Sequence, residues 1–152
     1  LGHGFKNLIL LNGHGGNNAT VAIAAHEIRK ITGKFVGVIT WPSMVIEAEK
    51  TLESEIVWHA DEGETSTVLW IDPSVVKMER AIKENPKPIP HFEFTHEALF
   101  SNPVDQGLPR TKDITDSGII GDATLATPEK GKLILEEAVK NLAKTIMDLR
   151  KA

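Results

Sequence analysis

Two short segments hold the side chains able to do chemistry. Asn12-Gly-His-Gly-Gly-Asn17 sets one imidazole between glycines, and Trp58-His-Ala-Asp-Glu-Gly-Glu-Thr-Ser66 brings an imidazole together with the carboxylates of Asp61, Glu62 and Glu64. Neutral imidazole and carboxylate are the donors that zinc, manganese and iron(II) take from a protein without thiolates, and they also serve as general acid or base. Crowded carboxylates repel, and a cation between them relieves the repulsion. The competing reading of the second segment is structural: Asp61 as a helix N-cap with Glu64 three residues on is a capping-box spacing. One capping carboxylate leaves His59 and Glu62 unexplained, so the two readings can hold for different residues.

The glycines of the first segment permit positive φ and let the backbone approach a ligand. A helix beginning there would add free N–H groups. The spacing is not G-x-G-x-x-G and no Lys-Ser/Thr follows, so dinucleotide and P-loop readings are weak. The plain alternative is a tight turn with Asn17 or Asn18 as N-cap and His14 exposed. Glycines on both sides of His14 favour a ligand.

The elements that must position these groups are legible around them. Leu8-Ile-Leu-Leu11 is a continuous apolar run of strand length, which fits a strand buried on both faces. Val21, Ala24, Ala25, Ile28 and Ile31 recur at helical spacing and Gly33 supplies a C′ stop. Phe35–Thr40 reads as the next buried strand, so a parallel βαβ unit is expected, with His14 at a strand's carboxyl end, where open α/β sheets bind ligands. Trp41 follows the second strand and would wall a substrate site, with Trp58 a second such candidate. Pro42–Trp58 reads as helix, and Glu62–Trp70 as a helix stopped by Asp72-Pro73. Five prolines between Asn85 and Arg110 indicate an extended excursion with one strand at His91–Thr95. Thr127-Pro128-Glu129 is a helix start signal, and Ile134, Leu135, Ala138, Val139, Leu142, Ile146 and Leu149 share one face of the helix that follows.

Composition narrows the classes. The chain has 152 residues, 41% hydrophobic and 25% charged, which excludes a disordered or collagenous protein and suits a single α/β domain. A net charge of −4 argues against nucleic acid or an anionic membrane as partner. The absence of cysteine removes disulfides, thiolate metal sites and thiol nucleophiles. No apolar run reaches the ~20 residues of a membrane helix, the opening residues do not read as a secretory leader, and the cytoplasm is the expected location. His26, His91, His96 and Asp122 are weaker candidates: His26 lies near the end of the first helix and suits its negative dipole end, His91 and His96 could line a pocket but read better as surface loop residues, and Asp122 is a turn residue or a group behind the site.

Taken together, three segments resemble the creatininase (creatinine amidohydrolase) family. Asn12–Asn17 looks like its central signature, and His59-Ala-Asp-Glu-Gly-Glu-Thr-Ser66 is similar to its H-A-G-E-x-E-T-S segment. Gly118-Ile-Ile-Gly-Asp122 with Ala126-Thr-Pro-Glu-Lys-Gly131 is similar to its G-x-x-G-D…A-T-x-E-K-G stretch. Asp61 departs from the pattern, which usually has glycine there. The resemblance implies a creatininase-like α/β three-layer sandwich with a mainly parallel sheet, and a metal-dependent hydrolase of non-peptide C–N bonds. It implies two divalent ions per complete site, zinc foremost, with manganese or iron as alternatives, and a homo-oligomer, often a hexamer in the family. A cyclic amide such as creatinine is the leading substrate, a formamide or a keto-sugar ring the alternative.

Carried over by position, His14 and Glu64 are the expected metal ligands, His59 a proton-transfer or substrate-contacting group and Glu62 the general base, the choice between Glu62 and Glu64 as ligand staying open. Creatininase itself has a glutamate where this chain has Gly16, and Gly15, Gly16 and Asn17 would leave room for substrate. The family's Glu-x-His element and bridging aspartate, which lie upstream of the first segment, have no match here. The expectation is therefore a C-terminal portion of a creatininase-like protein, with the missing segment as a partner, or a non-catalytic subunit.

Overall fold

The first apolar run does form a strand. In the computed structural model, which describes residues 2–89 and 110–150, β1 (Asn7–Asn12) pairs in parallel with β2 (Phe35–Thr40), in register from Asn7 opposite Phe35 to Asn12 opposite Thr40. The crossover between them is helix α1 (Asn18–Thr32). It ends on Gly33, whose φ of 66° is the left-handed conformation that glycine adopts without strain, and whose N–H donates to Arg29 C=O.

The described residues fall into two compact units, Leu1–Ile46 with Glu137–Ala152, and Glu47–Glu136. In the first, Ala25, Val36 and Val45 are buried. Asn7 Nδ2 donates to Leu149 C=O, and Asn141 Nδ2 to Met44 C=O, which ties the end of the last helix to this unit. The expectation of strands buried on both faces is corrected. Leu11 is 55% exposed and Phe35 and Val38 are exposed with it, because the described sheet has only two strands and lacks flanking cover. Likewise Ala25 is buried on the α1 face read from the sequence, but Ile31 is 80% exposed.

The second unit is built on an antiparallel sheet in the order β3 (Val57–His59), β5 (Ile120–Asp122), β4 (Lys83–Glu84). Among the described residues, parallel pairing joins β1 and β2, as expected, and the second sheet is antiparallel. Pro42–Trp58 is not one helix: it holds a short turn at Trp41–Met44, one helical turn α2 (Ile46–Glu49) and then β3. Helix α3 (Glu62–Ile71) follows, and α4 (Thr111–Ile114) leads towards β5. The last helix, α5 (Pro128–Leu149), begins at the Thr-Pro-Glu signal; its residues up to Glu136 belong to the second unit. Ile120, Ile134, Leu69, Ile114 and Ala48 form the core here.

Two glycines carry contacts that no other residue permits. A Cβ on Gly131 would lie 1.9 Å from Ser66 C=O, so α3 and α5 touch backbone to backbone. At that crossing Ser66 Oγ accepts the Thr127 N–H and satisfies one open donor at the start of α5. Gly121, at φ +129°, lies so close to Ile56 and Asp61 that its own Cβ would come 2.6 Å from Ile56 C=O. The strand His91–Thr95 expected in the proline-rich excursion lies outside the described residues.

Candidate active site

The expected site residues divide between the units. His14, Gly15, Gly16, Asn17 and Trp41 belong to the first, and Trp58, His59, Glu62 and Glu64 to the second.

In the first unit β1 ends at Asn12, and a turn at Gly15–Asn17 leads into α1. His14 sits between them in extended backbone, φ −148° and ψ 127°, and is exposed. Its imidazole folds over Gly16: a Cβ there would lie 2.7 Å from His14 Nε2. Any side chain at position 16 would thus compete with the ring for the same space. Asn17 is the N-cap residue of α1 and His14 is exposed, as in the structural alternative, but the Asn17 side chain makes no capping bond. Asn17 Nδ2 donates to Asn12 Oδ1 at 3.4 Å, and Asn18 Oδ1 accepts from Thr40 Oγ1 and Asn12 Nδ2, both at 2.7 Å. Trp41 is half-buried at the end of β2.

In the second unit β3 delivers Trp58 and His59, both half-buried, to the start of α3. The residue between them and the helix, Ala60, has φ 46°, uncommon for a residue with a side chain and a local cost held by its surroundings. Both of its peptide groups are held: the N–H donates to Glu64 Oε2 at 2.7 Å, and the C=O accepts from Thr65 Oγ1 at 3.2 Å. Asp61 caps α3 by accepting the Glu64 N–H at 2.9 Å. Glu64 returns to Ala60 rather than Asp61, a capping box displaced by one residue. Burial pushes the Asp61 carboxyl up to about 6; the hydrogen bond from Glu64 N–H opposes this and the charge of Glu64 adds to it.

Glu62 is 0% exposed. Its Oε2 accepts the N–H groups of Glu53 and Ser54, at 2.9 and 2.7 Å, and its Oε1 accepts Lys130 Nζ at 2.5 Å. Lys130 also donates to Glu53 Oε1 and Leu125 C=O. Burial works to lower the Lys130 ammonium, but its bonds to Glu53 and Glu62 outweigh it and hold the group above the usual lysine range. A carboxylate enclosed by two amides and an ammonium is an anchor that joins residues 53–54, the start of α3 and the first turn of α5.

Lys130, Asn12 and Thr40 were not singled out from the sequence. Lys130 lies inside the Ala126–Gly131 motif and Asn12 opens the first segment, so a signal existed for both, but partners 68 and 28 residues apart in the chain did not. Asp122 is a turn residue: its Oδ1 accepts Thr124 N–H. His26 is exposed on α1, and His91 and His96 lie outside the described residues.

Against a metal ion the residues fit singly. His14 offers an imidazole over a glycine cradle, and Glu64 keeps Oε2 on Ala60 while its side chain is exposed. Among the described residues no group of three or more His, Cys, Asp or Glu comes together to hold a metal. Nor is any described helix long and apolar enough to cross a membrane.

Residues 1–146 match the family described as creatininase, creatinine amidohydrolase. The chain belongs to the creatininase family. It is 31% identical to the 3-dehydro-scyllo-inosose hydrolase of Thermotoga maritima, over 96% of this chain and 51% of that protein. It is 26% identical to the creatinine amidohydrolase of Pseudomonas putida, over 96% of this chain and 56% of that protein. The chain thus spans about half the length of the curated creatininase-family relatives it matches. The creatininase fold is shown by a crystal structure from Bacteroides fragilis, described as a "Putative creatinine amidohydrolase", with TM-score 0.73 and 29% identity over 94% of this chain and 53% of that one. Two further neighbours, described as "Creatininase Mn" and as a creatininase variant of "Zn-Zn type", have TM-score 0.72 and 26% identity, each over 96% of this chain and 57% of the other.

Proposed function

We infer that the intact protein is a divalent-metal-dependent hydrolase of a non-peptide C–N bond in a small cyclic amide, acting in the cytoplasm as a homo-oligomer. The observation that carries the reading is the His14 turn: an imidazole at the carboxyl end of a strand, over a glycine, inside the family's signature segment. His14 and Glu64 are this chain's contribution to metal binding, and two donors are fewer than a catalytic ion takes. The remaining ligands come from outside the described residues. Zinc and manganese are the first metals to test, because family neighbours are described with them.

When bound, such ions supply an activated water and polarise the carbonyl oxygen. The chain's own residues supply the rest. His59 moves the proton to the departing nitrogen, Trp41 and Trp58 give apolar walls, Gly15 and Asn17 leave room for substrate against the backbone, and Gly16 leaves room for the His14 ring. Glu62 takes no proton in this scheme; it holds residues 53–62 in place.

A second reading has an observation of its own. The relative at 31% identity is a 3-dehydro-scyllo-inosose hydrolase, which favours a keto-sugar ring as the substrate. Elemental analysis and light scattering of the intact protein, followed by assays on creatinine, a formamide and 3-dehydro-scyllo-inosose, separate these. Two divalent ions per chain and turnover of one compound are expected. A metal-free protein that turns over none of them after incubation with zinc or manganese is a non-catalytic subunit, and the hydrolase reading fails.

A further inference from the structure

We propose that Asn12 is a positioning residue that sets the backbone, and through it the imidazole, of His14. The inference rests on the reading of His14 as a functional side chain and adds the group that aims it.

Asn12 is the last residue of β1, and its carboxamide is buried, 4% exposed. Its Oδ1 accepts the His14 N–H at 3.2 Å while its Nδ2 donates to the His14 C=O at 2.8 Å. One planar group thus bridges both polar backbone groups of the residue two positions on. The remaining bonding capacity is also used. Nδ2 donates to Asn18 Oδ1 at 2.7 Å and reaches Thr40 Oγ1 at 3.4 Å, and Oδ1 accepts from Asn17 Nδ2. Thr40 stands opposite Asn12 in the β1–β2 register and donates to Asn18 Oδ1. Because the His14 N–H can only donate and the His14 C=O can only accept, these two bonds fix the orientation of the carboxamide.

Only asparagine satisfies this geometry. Aspartate has no N–H for the His14 C=O, serine cannot span both backbone groups, and glutamine is one carbon too long. The need for such a brace follows from the neighbours. Gly13, Gly15 and Gly16 leave the chain wide backbone freedom, yet His14 holds one extended conformation with its ring over Gly16. A side chain that fixes the orientation of a functional imidazole acts like the outer-shell partner of a metal ligand, and loss of such partners costs about 10–100-fold in affinity.

The test uses the intact protein with zinc alone as probe, read by isothermal titration, together with the ring resonances of His14 in ¹H–¹⁵N spectra without metal. Asn12→Ser and Asn12→Asp are expected to weaken zinc binding about tenfold or more and to broaden or split the His14 ring signals. Thr40→Val removes a donor from the same network without touching His14, and is expected to leave both readouts unchanged. Wild-type affinity and wild-type ring signals in a folded Asn12 variant overturn the inference, as does a Thr40→Val loss equal to that of Asn12→Ser. If neither Asn12 variant folds, the role is structural and the inference falls. A wild-type protein that binds no zinc, with ring signals still disturbed by Asn12→Ser, sinks the metal reading and leaves the positioning role standing.

Discussion

The Glu62 carboxylate meets the Lys130 ammonium at 2.5 Å, with no solvent exposure of the glutamate side chain and 16% of the lysine's. Two backbone amides complete the set around Glu62, so the charge is buried, paired and hydrogen-bonded. Burying an ion pair brings little net stability, but removing one partner strands the other charge.

Lys130→Met is therefore expected to destabilise the protein by about 3–5 kcal/mol, measured by urea unfolding. Glu62→Gln combined with Lys130→Met should recover part of the loss, since no uncompensated carboxylate remains. The same geometry separates an anchor from a base. Glu62→Gln should lower the unfolding midpoint, whereas a general base would lose turnover in a variant of unchanged stability.

Gly16→Ala tests the cradle beneath His14. The new methyl would collide with the end of a side chain rather than with backbone, so the ring moves and the fold does not. Stability within about 0.5 kcal/mol of wild type is expected, with zinc affinity lowered about tenfold or more. Wild-type zinc affinity in this variant would show that the position of the ring is immaterial.

Asp61 gives the stability a pH dependence. Its carboxyl is raised from 3.8 to about 6 in the folded protein, so the folded state keeps this proton to higher pH than the unfolded chain does. Stability from this group is then greatest below about pH 4 and falls as pH rises to about 6, by about 3 kcal/mol. Asp61→Asn keeps an N-cap oxygen for the Glu64 N–H. It should raise stability at pH 7 and flatten the profile between about pH 4 and 6, read from thermal unfolding across that range.

Gly131→Ala places a methyl carbon 1.9 Å from Ser66 C=O, where neither helix has a flexible atom to move. A loss of about 3 kcal/mol or more is expected, with the Thr127–Ser66 bond broken as α5 shifts. Gly13→Ala, which meets nothing within 4 Å, is the control and should stay within about 0.5 kcal/mol of wild type.

Much of this was legible from residues alone. The β1–α1–β2 unit followed from a four-residue apolar run, a helical repeat and a glycine stop, all of them local signals. The starts of α3 and α5 followed from Asp61 and from Thr127-Pro128-Glu129, because a cap forms with residues two or three positions away. The site segments were visible through their residue types and through the order of the family motifs.

Tertiary structure decided what depends on distant partners. Val57–His59 is a strand only because Ile120–Asp122 pairs with it, and nothing in its own composition outweighs the helical reading of Pro42–Trp58. Glu62, the carboxylate expected as general base, is held by Lys130, which reaches it from 68 residues away. The Asn12 carboxamide also reaches Thr40, a residue that the parallel register alone brings opposite it. Sequence by itself determined the elements and the inventory of reactive groups, since these rest on local propensity and chemistry. Which of those groups faces solvent, and which is consumed in holding the others, depends on the contacts that folding makes.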